Sequence, residues 1–418
     1  MKWFALACVI LASIFQLFFP LQLGLSNNGD FSKVSGYYKL APTAGWGVHE
    51  SEYYLPGYAF SDRNSYRSGL LSSEHVFTWP AVKLSRLIFG KQSFSLLTLA
   101  AVKLIWYWSA SAALLFALQS SWPAIVLAAL VASDASLLTC LPGFYMDSAA
   151  LLFTLSLVAS LLWCHRGVTL AALPAAVSAT GLTLSKAQHA PLAFLFALAL
   201  CWLAWRHRRG LLLLPAAFFG LLGGFMFRET PEHYAAIPVF TLTFYRIAPT
   251  GDGMGLPPQY ARYAGMHAYS PGSPVEDPAW SREFLRHTSL SRIALWYTTH
   301  PAFVLKTLWL AWRTHAGVQP DPGLGWRQPG HGHAPRAQTG GFRPWSFLRL
   351  LTTPLAFLAL LWVRRQPILY LLAAAALSEF AIATLADALE TARHLYLFQI
   401  FTDLLAVTAT YFRLSARP

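Results

Sequence analysis

Charge is scarce in this chain. Only 12% of its 418 residues are Asp, Glu, Lys or Arg, against 56% that are hydrophobic, a balance that excludes an ordinary soluble domain and fits a polytopic membrane protein. Acids are the scarcer sign, 18 against 31 Lys and Arg, which leaves a formal charge of +13. That excess forms no basic stripe interleaved with aromatics, so nucleic acid is excluded as a partner. Cysteine is scarce too. Cys8, Cys140, Cys164 and Cys201 lie scattered in depth within or at the ends of apolar runs, which excludes a disulfide framework and a cysteine metal site. There is no internal repeat and no polar path to one side, which argues against a transporter.

Long apolar runs are what the chain does have. They cover residues 3–25, 93–118, 121–142, 148–164, 168–185, 190–205, 210–227, 346–363, 367–386 and 394–412, each near the roughly 20 residues a spanning helix needs. The first lacks a small-residue cleavage site and reads as an uncleaved helix rather than a signal peptide. Links between alternate runs are very short and basic: His165 and Arg166, RHRR at 206–209, Arg364 and Arg365, and a tail with Arg413 and Arg417. Short loops rich in Lys and Arg mark the cytoplasmic side. Both termini are therefore expected in the cytoplasm, with the long loops outside a bacterial inner membrane. The expected fold is all-α and polytopic, with about ten transmembrane helices. Its parts are an N-terminal module at 1–227 of seven helices with a first outer loop at 26–92, an outer loop region at 228–345, and a C-terminal module at 346–418 of three helices.

Within the outer material, WPAVKLSRLIFG at 79–90 has helical apolar spacing and reads as an interfacial helix. The stretch 295–312, LWYTTHPAFVLKTLWLAW, reads as interfacial or re-entrant, because a span there would reverse the sidedness of Arg364 and Arg365. Residues 313–345 are rich in Gly and Pro and read as a mobile loop or lid. The GHGH at His331 and His333 lacks a third ligand and reads as solvated loop rather than a metal site.

Charges inside apolar runs cost roughly 2.5 to 3.5 kcal/mol each on insertion scales, so each needs a partner or a function. Lys103 and Asp134 fall about 15 and 12 Å below the outer face at 1.5 Å per residue and are expected to pair. Glu379 and Asp403 have Arg349 as a candidate partner. At the outer helix ends stand Asp30, Asp147, Lys186, Gln188, Arg228, Glu229, Glu390, Arg393 and His394. Carboxylates and cations brought to one membrane level are what a reaction on a lipid-linked phosphate requires: cations for the phosphate, and a carboxylate to orient or deprotonate a hydroxyl.

These residues carry a resemblance. A first helix followed at once by an acid in NNGDFSKV, a second acid in YMDSAALLF, a lysine in SKAQ and basic residues in ETARHLYLF together resemble the GT-C superfamily of integral membrane glycosyltransferases. The nearest likeness is to its bacterial glycan-biosynthesis hexose transferases, with aminoarabinose and protein mannosyl transferases more distant. The resemblance implies a hexosyl- or pentosyltransferase in which Asp30 is the catalytic carboxylate. Asp147 would position the acceptor or, as in metal-dependent relatives, a divalent ion, and Lys186, Arg393 and His394 would hold the donor phosphate. The first loop has no DxD pair, the nearest acids being Glu50 and Glu52, which weakens a metal requirement. Lys33, Tyr37 and Tyr38 are candidates for lining the sugar pocket, beside an equal reading as an interfacial aromatic belt. A site on the outer face cannot reach nucleotide sugars, so no nucleotide cofactor is expected. The donor expected is a polyprenyl-phosphate sugar, the acceptor a lipid or glycan. The alternatives are a polysaccharide polymerase using loop arginines such as Arg246 and Arg286, and a lipid-linked-glycan flippase.

Overall fold

The computed structural model describes residues 1–18, 23–25, 32–43, 57–61, 69–90, 92–315, 342–363, 366–386, 389 and 391–415. The helices in chain order are α1 (Lys2–Leu17), α2 (Ser32–Ser35), α3 (His75–Phe89), α4 (Leu96–Ala117), α5 (Trp122–Ala132), α6 (Ala135–Leu138), α7 (Met146–His165), α8 (Ala172–Thr183), α9 (Pro191–His207) and α10 (Leu213–Arg228). They continue with α11 (Glu232–Phe240), α12 (Pro278–His287), α13 (Leu290–Thr299), α14 (Pro301–His315), α15 (Arg349–Trp362), α16 (Pro367–Leu385), α17 (Thr391–His394) and α18 (Tyr396–Ser415). Each of the ten apolar runs contains helix among the described residues. Among the described residues, five helical segments, 96–117, 146–165, 187–207, 210–228 and 367–385, are long and apolar enough to cross a membrane.

Local chemistry sets the helix starts. Proline occupies the first turn of α5, α9 and α16, where its missing N–H costs nothing and its fixed φ suits the helix. Ser95 caps α4 by accepting the Leu97 N–H at 3.2 Å. Helix α7 is apolar on all sides and 72% of its window is buried, against 22% for 210–228. It is the central staff of the bundle, packed by α4, α8 and α18, as a helix without a polar face must be.

The third apolar run is broken. Helix α5 stops at Ala132, and Asp134 caps the single turn α6 by accepting the Ser136 N–H at 3.0 Å. Asp134 also accepts the N–H groups of Trp345 and Ser346, each at 2.9 Å. Gln16 completes the tie: it accepts from the Phe342 N–H and donates to the Ser133 carbonyl, both at 3.0 Å. A break in a membrane helix survives only where the freed backbone groups find partners in protein, and these side chains supply them. Arg349 pairs with Asp403 at 2.6 Å, as its position suggested, with Trp345 Nε1 donating to the same carboxylate at 2.7 Å and Gln399 accepting from Arg349 at 3.0 Å.

Asp134 is therefore not the partner of Lys103. Lys103 instead meets Glu74 at 2.5 Å, both side chains fully enclosed. Depth along the axis put Lys103 and Asp134 at one level but said nothing of azimuth. Glu74 was also overlooked because it lies in loop sequence.

The bundle end that bears the described residues between 32 and 92 and between 229 and 315 is the loop face. It carries a feature absent from the all-helical expectation: a small antiparallel sheet of β1 (Leu40–Pro42), β2 (Gly57–Phe60) and β3 (Ser93–Ser95), with Leu40 opposite Phe60 and Tyr58 opposite Phe94. Tyr58 and Phe94 are enclosed and meet Phe144 at ring distances of 5.2 and 5.6 Å, so the sheet is seated on the turn that leads into α7. Helix α3 lies beside it with Trp79, Leu87, Ile88 and Phe89 exposed, the apolar outer side expected of an interfacial helix. The 295–312 stretch forms α13 and α14, separated at His300 and Pro301, so it is not one continuous span. Beneath it, residues 236–303 form a second core rich in aromatics, with Phe240, Phe244, Tyr263, Trp280 and Phe284 in mutual contact.

Gly24 fixes where the chain leaves the first helix. Its φ is +78°, and a Cβ there would run into the Thr139 carbonyl and the Pro142 ring. Gly251, left-handed with φ +88° and open space around it, bears a positive φ without the collision. Alanine at a left-handed position costs about 1 to 2 kcal/mol, so Gly24→Ala, which adds the collision, is expected to lower the thermal midpoint in detergent clearly more than Gly251→Ala. Equal shifts would mean that the close approach of 24 to the 139–142 turn is not held in the folded protein.

Candidate functional site

At the loop face, the turns into α7 and α9 bring Asp147 and Lys186 together. Asp147 sits in the first turn of α7, where the helix N-terminus favours an acid. Lys186 sits in extended backbone between α8 and α9. Its Nζ is 3.4 Å from Asp147 Oδ2, and the two side chains are 13% and 8% exposed. The turn after Lys186 is a single 3-10 turn, Ala187–His189, which directs His189 inward from the same short segment. His189 Nδ1 lies 3.0 Å from Glu379 Oε2 of α16, and its Nε2 lies 3.8 Å from Asp147 Oδ1. Gln188 donates to the His394 carbonyl at 3.3 Å, joining this turn to α17. Four helices thus meet at one polar cluster under the loops.

A second polar group supports it from below. Ser148, next to Asp147, donates to Glu74 Oε2 at 2.9 Å and accepts from Lys103 Nζ at 2.7 Å, and Lys103 also donates to the Gly143 carbonyl at 2.7 Å. Glu74 precedes α3 but makes no side-chain cap to it; its carboxylate is committed to Lys103, Ser148 and Thr78. The neighbouring His75 lies under Tyr37 and Tyr38. Burial holds its imidazole below the usual histidine range, and burial, with the Glu74 charge behind it, pushes the Tyr38 hydroxyl up to about 12. Neutral imidazole and protonated phenol suit the 3.0 Å bond from Tyr38 to His75 Nδ1. Ser72 and Ser73 donate to the Ser185 and Gly181 carbonyls at 2.7 Å each, so the start of α3 also braces the segment that carries Lys186.

Of the residues singled out in the sequence, the fold joins Asp147, Lys186 and the backbone of His394. Lys33 lies 4.9 Å from the Tyr234 ring centroid, and Tyr37 and Tyr38 pack on His75, with all three half-buried. Asp30 and Glu390 lie outside the described residues, as do the side chain of Arg393 and both histidines of the GHGH stretch. Arg246 donates to the Thr384 carbonyl at the end of α16, and Arg286 is exposed and paired with Glu283 at 2.8 Å. Three members of the site were not anticipated there. His189 follows Lys186 by three residues, a helical spacing that a turn can place on one side; Glu379 was visible only as a charge in an otherwise apolar helical pattern, and Glu74 lies in loop sequence before α3.

Fold and site together define an all-α polytopic membrane protein. The model of the YfdI N-terminal transmembrane domain matches residues 1–226 and 249–371, well over half of the chain, and the chain belongs to that family. No curated protein and no solved structure matches it. The family match takes in Asp147, Lys186 and His189 and ends before Glu379 and α17.

Removing one partner of a buried ion pair costs about 3 to 5 kcal/mol, whereas replacing both with apolar groups of similar volume is often neutral. Lys103→Met is therefore expected to unfold at a markedly lower temperature than the wild type, and Lys103→Met with Glu74→Leu to recover a large part of the loss, in thermal unfolding followed by tryptophan fluorescence. Equal losses in the single and double variants would show that the two charges do not depend on each other.

Proposed function

We propose that the chain is a glycosyltransferase of GT-C type, which moves a sugar from a polyprenyl-phosphate donor to a hydroxyl or amine of a lipid or glycan acceptor at its loop face. The observation that carries this reading is the Lys186–Asp147 pair. It is a lysine and a carboxylate, nearly enclosed, held at 3.4 Å where helices α7 and α9 meet under the loops. A pair this loose can exchange partners, the ammonium for a phosphate and the carboxylate for a hydroxyl, at the depth where a lipid headgroup sits.

The loop face is extracytoplasmic in this reading, the membrane is a bacterial inner membrane, and both termini are cytoplasmic, because the short turns carry the Lys and Arg excess. Donors on that side are lipid-linked, since nucleotide sugars are confined to the cytoplasm. The tail of the donor lies among the apolar helices while Lys186, Arg393 and His394 receive its phosphate. Asp30 takes the proton of the acceptor hydroxyl, whose oxygen attacks the anomeric carbon. The bond from that carbon to the phosphate oxygen breaks, its electron pair leaves with the polyprenyl phosphate, and the configuration inverts. Asp147 orients the acceptor, and Lys33, Tyr37 and Tyr38 lie along the sugar's approach. The three-part division at 227 and 345 is retained in this proposal, with the 228–345 region selecting the acceptor.

The test is transfer from a panel of labelled polyprenyl-phosphate sugars by membranes containing the protein. Wild type is expected to transfer one sugar, Asp30→Asn to fall by at least about 10³-fold as for loss of a general base, and Lys186→Gln by about 10²-fold as for loss of one electrostatic contact to the leaving group. Transfer by Asp30→Asn at the wild-type rate, with equal expression, would remove the reading's catalytic base; failure of every donor would remove the reading.

A further inference from the structure

Lys186, Asp147, His189 and Glu379 form a row of alternating charge that runs inward from the loop face. Their side chains are 13, 8, 0 and 0% exposed, and the spacings along the row are 3.4, 3.8 and 3.0 Å. Only the innermost contact is a short one. Among the described residues, His189 Nε2 and Glu379 Oε1 are enclosed without a hydrogen-bond partner, although a buried polar atom left so costs about 1 to 3 kcal/mol. The neighbouring Glu74–Lys103 group is closed by comparison, with 2.5 Å between the charges and further bonds to Ser148, Thr78 and Gly143. The row is thus an incomplete network next to a complete one, and its gap lies between His189 and Asp147.

We infer that His189, held through Nδ1 by Glu379, is a positioning residue that takes over Asp147 when Lys186 turns to the phosphate of a lipid-linked ligand, an inference that rests on the donor-phosphate role given to Lys186 above. Charge counting explains the arrangement. With His189 protonated the four groups are neutral, and a phosphodiester arriving at Lys186 leaves a net charge of −1. With His189 neutral the same arrival leaves these four groups and the phosphate at −2, and Asp147, nearly buried, competes with the phosphate for Lys186. Anion affinity therefore falls as pH rises through the titration of His189. The other groups around the imidazole do not supply this cation. Tyr396 of α18 and Cys140, before α7, are bonded to each other at 3.0 Å; Glu74 of α3 and Lys103 of α4 cancel each other; His394 of α17 meets the turn through its carbonyl, and Arg393, with its side chain outside the described residues, carries a charge that pH does not change in this range.

The experiment measures binding of a sugar-free polyprenyl methyl phosphate, a diester whose single charge does not titrate near neutrality, to the purified full chain in micelles between about pH 6 and about pH 9. Wild-type affinity is expected to fall about tenfold over that range, a usual size for coupling between two sites. His189→Gln is expected to bind as weakly as wild type at high pH and with no slope, and Glu379→Gln, which keeps the shape, to move the slope to lower pH. The Glu379 variant carries the test if the His189 variant does not fold. A wild type that binds without a slope, a His189→Gln variant with the wild-type slope, an unmoved slope in Glu379→Gln, or no binding by the wild type would each overturn the inference. The two readings fail separately: a slope that depends on His189 in a protein that transfers no sugar removes the transferase alone, and sugar transfer with a slope indifferent to His189 removes this inference alone.

Discussion

The organisation of the loop face depends on one ion pair, Glu74 with Lys103. Both groups are fully enclosed and 2.5 Å apart. An unpaired charge at that depth would cost several kcal/mol, so the fold with one partner displaced is strongly disfavoured. The pair acts at the junction of three elements. Glu74 belongs to the start of α3, Lys103 to α4, and both bond Ser148 in the first turn of α7. From the same start of α3, Ser72 and Ser73 reach the segment that bears Lys186, and His75 holds Tyr38. Position is thereby passed from a loop to the bundle and on to Asp147 by enclosed side chains bonded across three elements.

The far side of the bundle is fixed by the same kind of device in a different place. Helix α5 ends early and the Asp134 carboxylate accepts five times: from the N–H and hydroxyl of Ser136, from the N–H of Trp345, and from the N–H and hydroxyl of Ser346. Arg349 and Asp403 close the opposite side of Trp345. The segment that returns from the long loop is therefore seated in a break in a helix. Two charge networks, one at the start of α7 and one at the break between α5 and α6, determine how the loops join the bundle, and both are fully bonded among the described residues.

Much of this was legible in the sequence because hydrophobic runs and basic turns report directly on membrane helices. Each of the ten runs contains helix among the described residues, though the third is broken; the 79–90 stretch lies in a helix with apolar residues exposed, and Arg349 found Asp403. What failed did so for physical reasons. Depth counting is one-dimensional: α4 does pack on α5, where Tyr107 donates to the Ala132 carbonyl at 2.6 Å, but depth cannot tell which carboxylate a side chain one turn away will face, so Lys103 was assigned to Asp134. Short strands such as Gly57–Phe60 arise from pairing with distant residues and leave a weak local signature. Asp147 and Lys186 could be placed at one level because each lies at a helix end. Glu379, several residues inside α16, could be recognised as anomalous, but its partner on another helix could not.

The contrast between complete and incomplete networks is the strongest structural argument for where function resides. Stability alone would select closure at every buried charge, since each unmade bond is a cost with no return in the folded state. Glu74–Lys103 and Arg349–Asp403 obey that rule with direct contacts of 2.5 and 2.6 Å. The row from Lys186 to Glu379 does not: its outer contacts are 3.4 and 3.8 Å, and two of its buried atoms have no hydrogen-bond partner among the described residues. Strain and unsatisfied polarity persist where something other than the fold makes use of them. Here the unsatisfied atoms lie inward of the two most exposed charges of the row, so an anion at Lys186 can be answered by a shift of Asp147 alone, while every helix keeps its place.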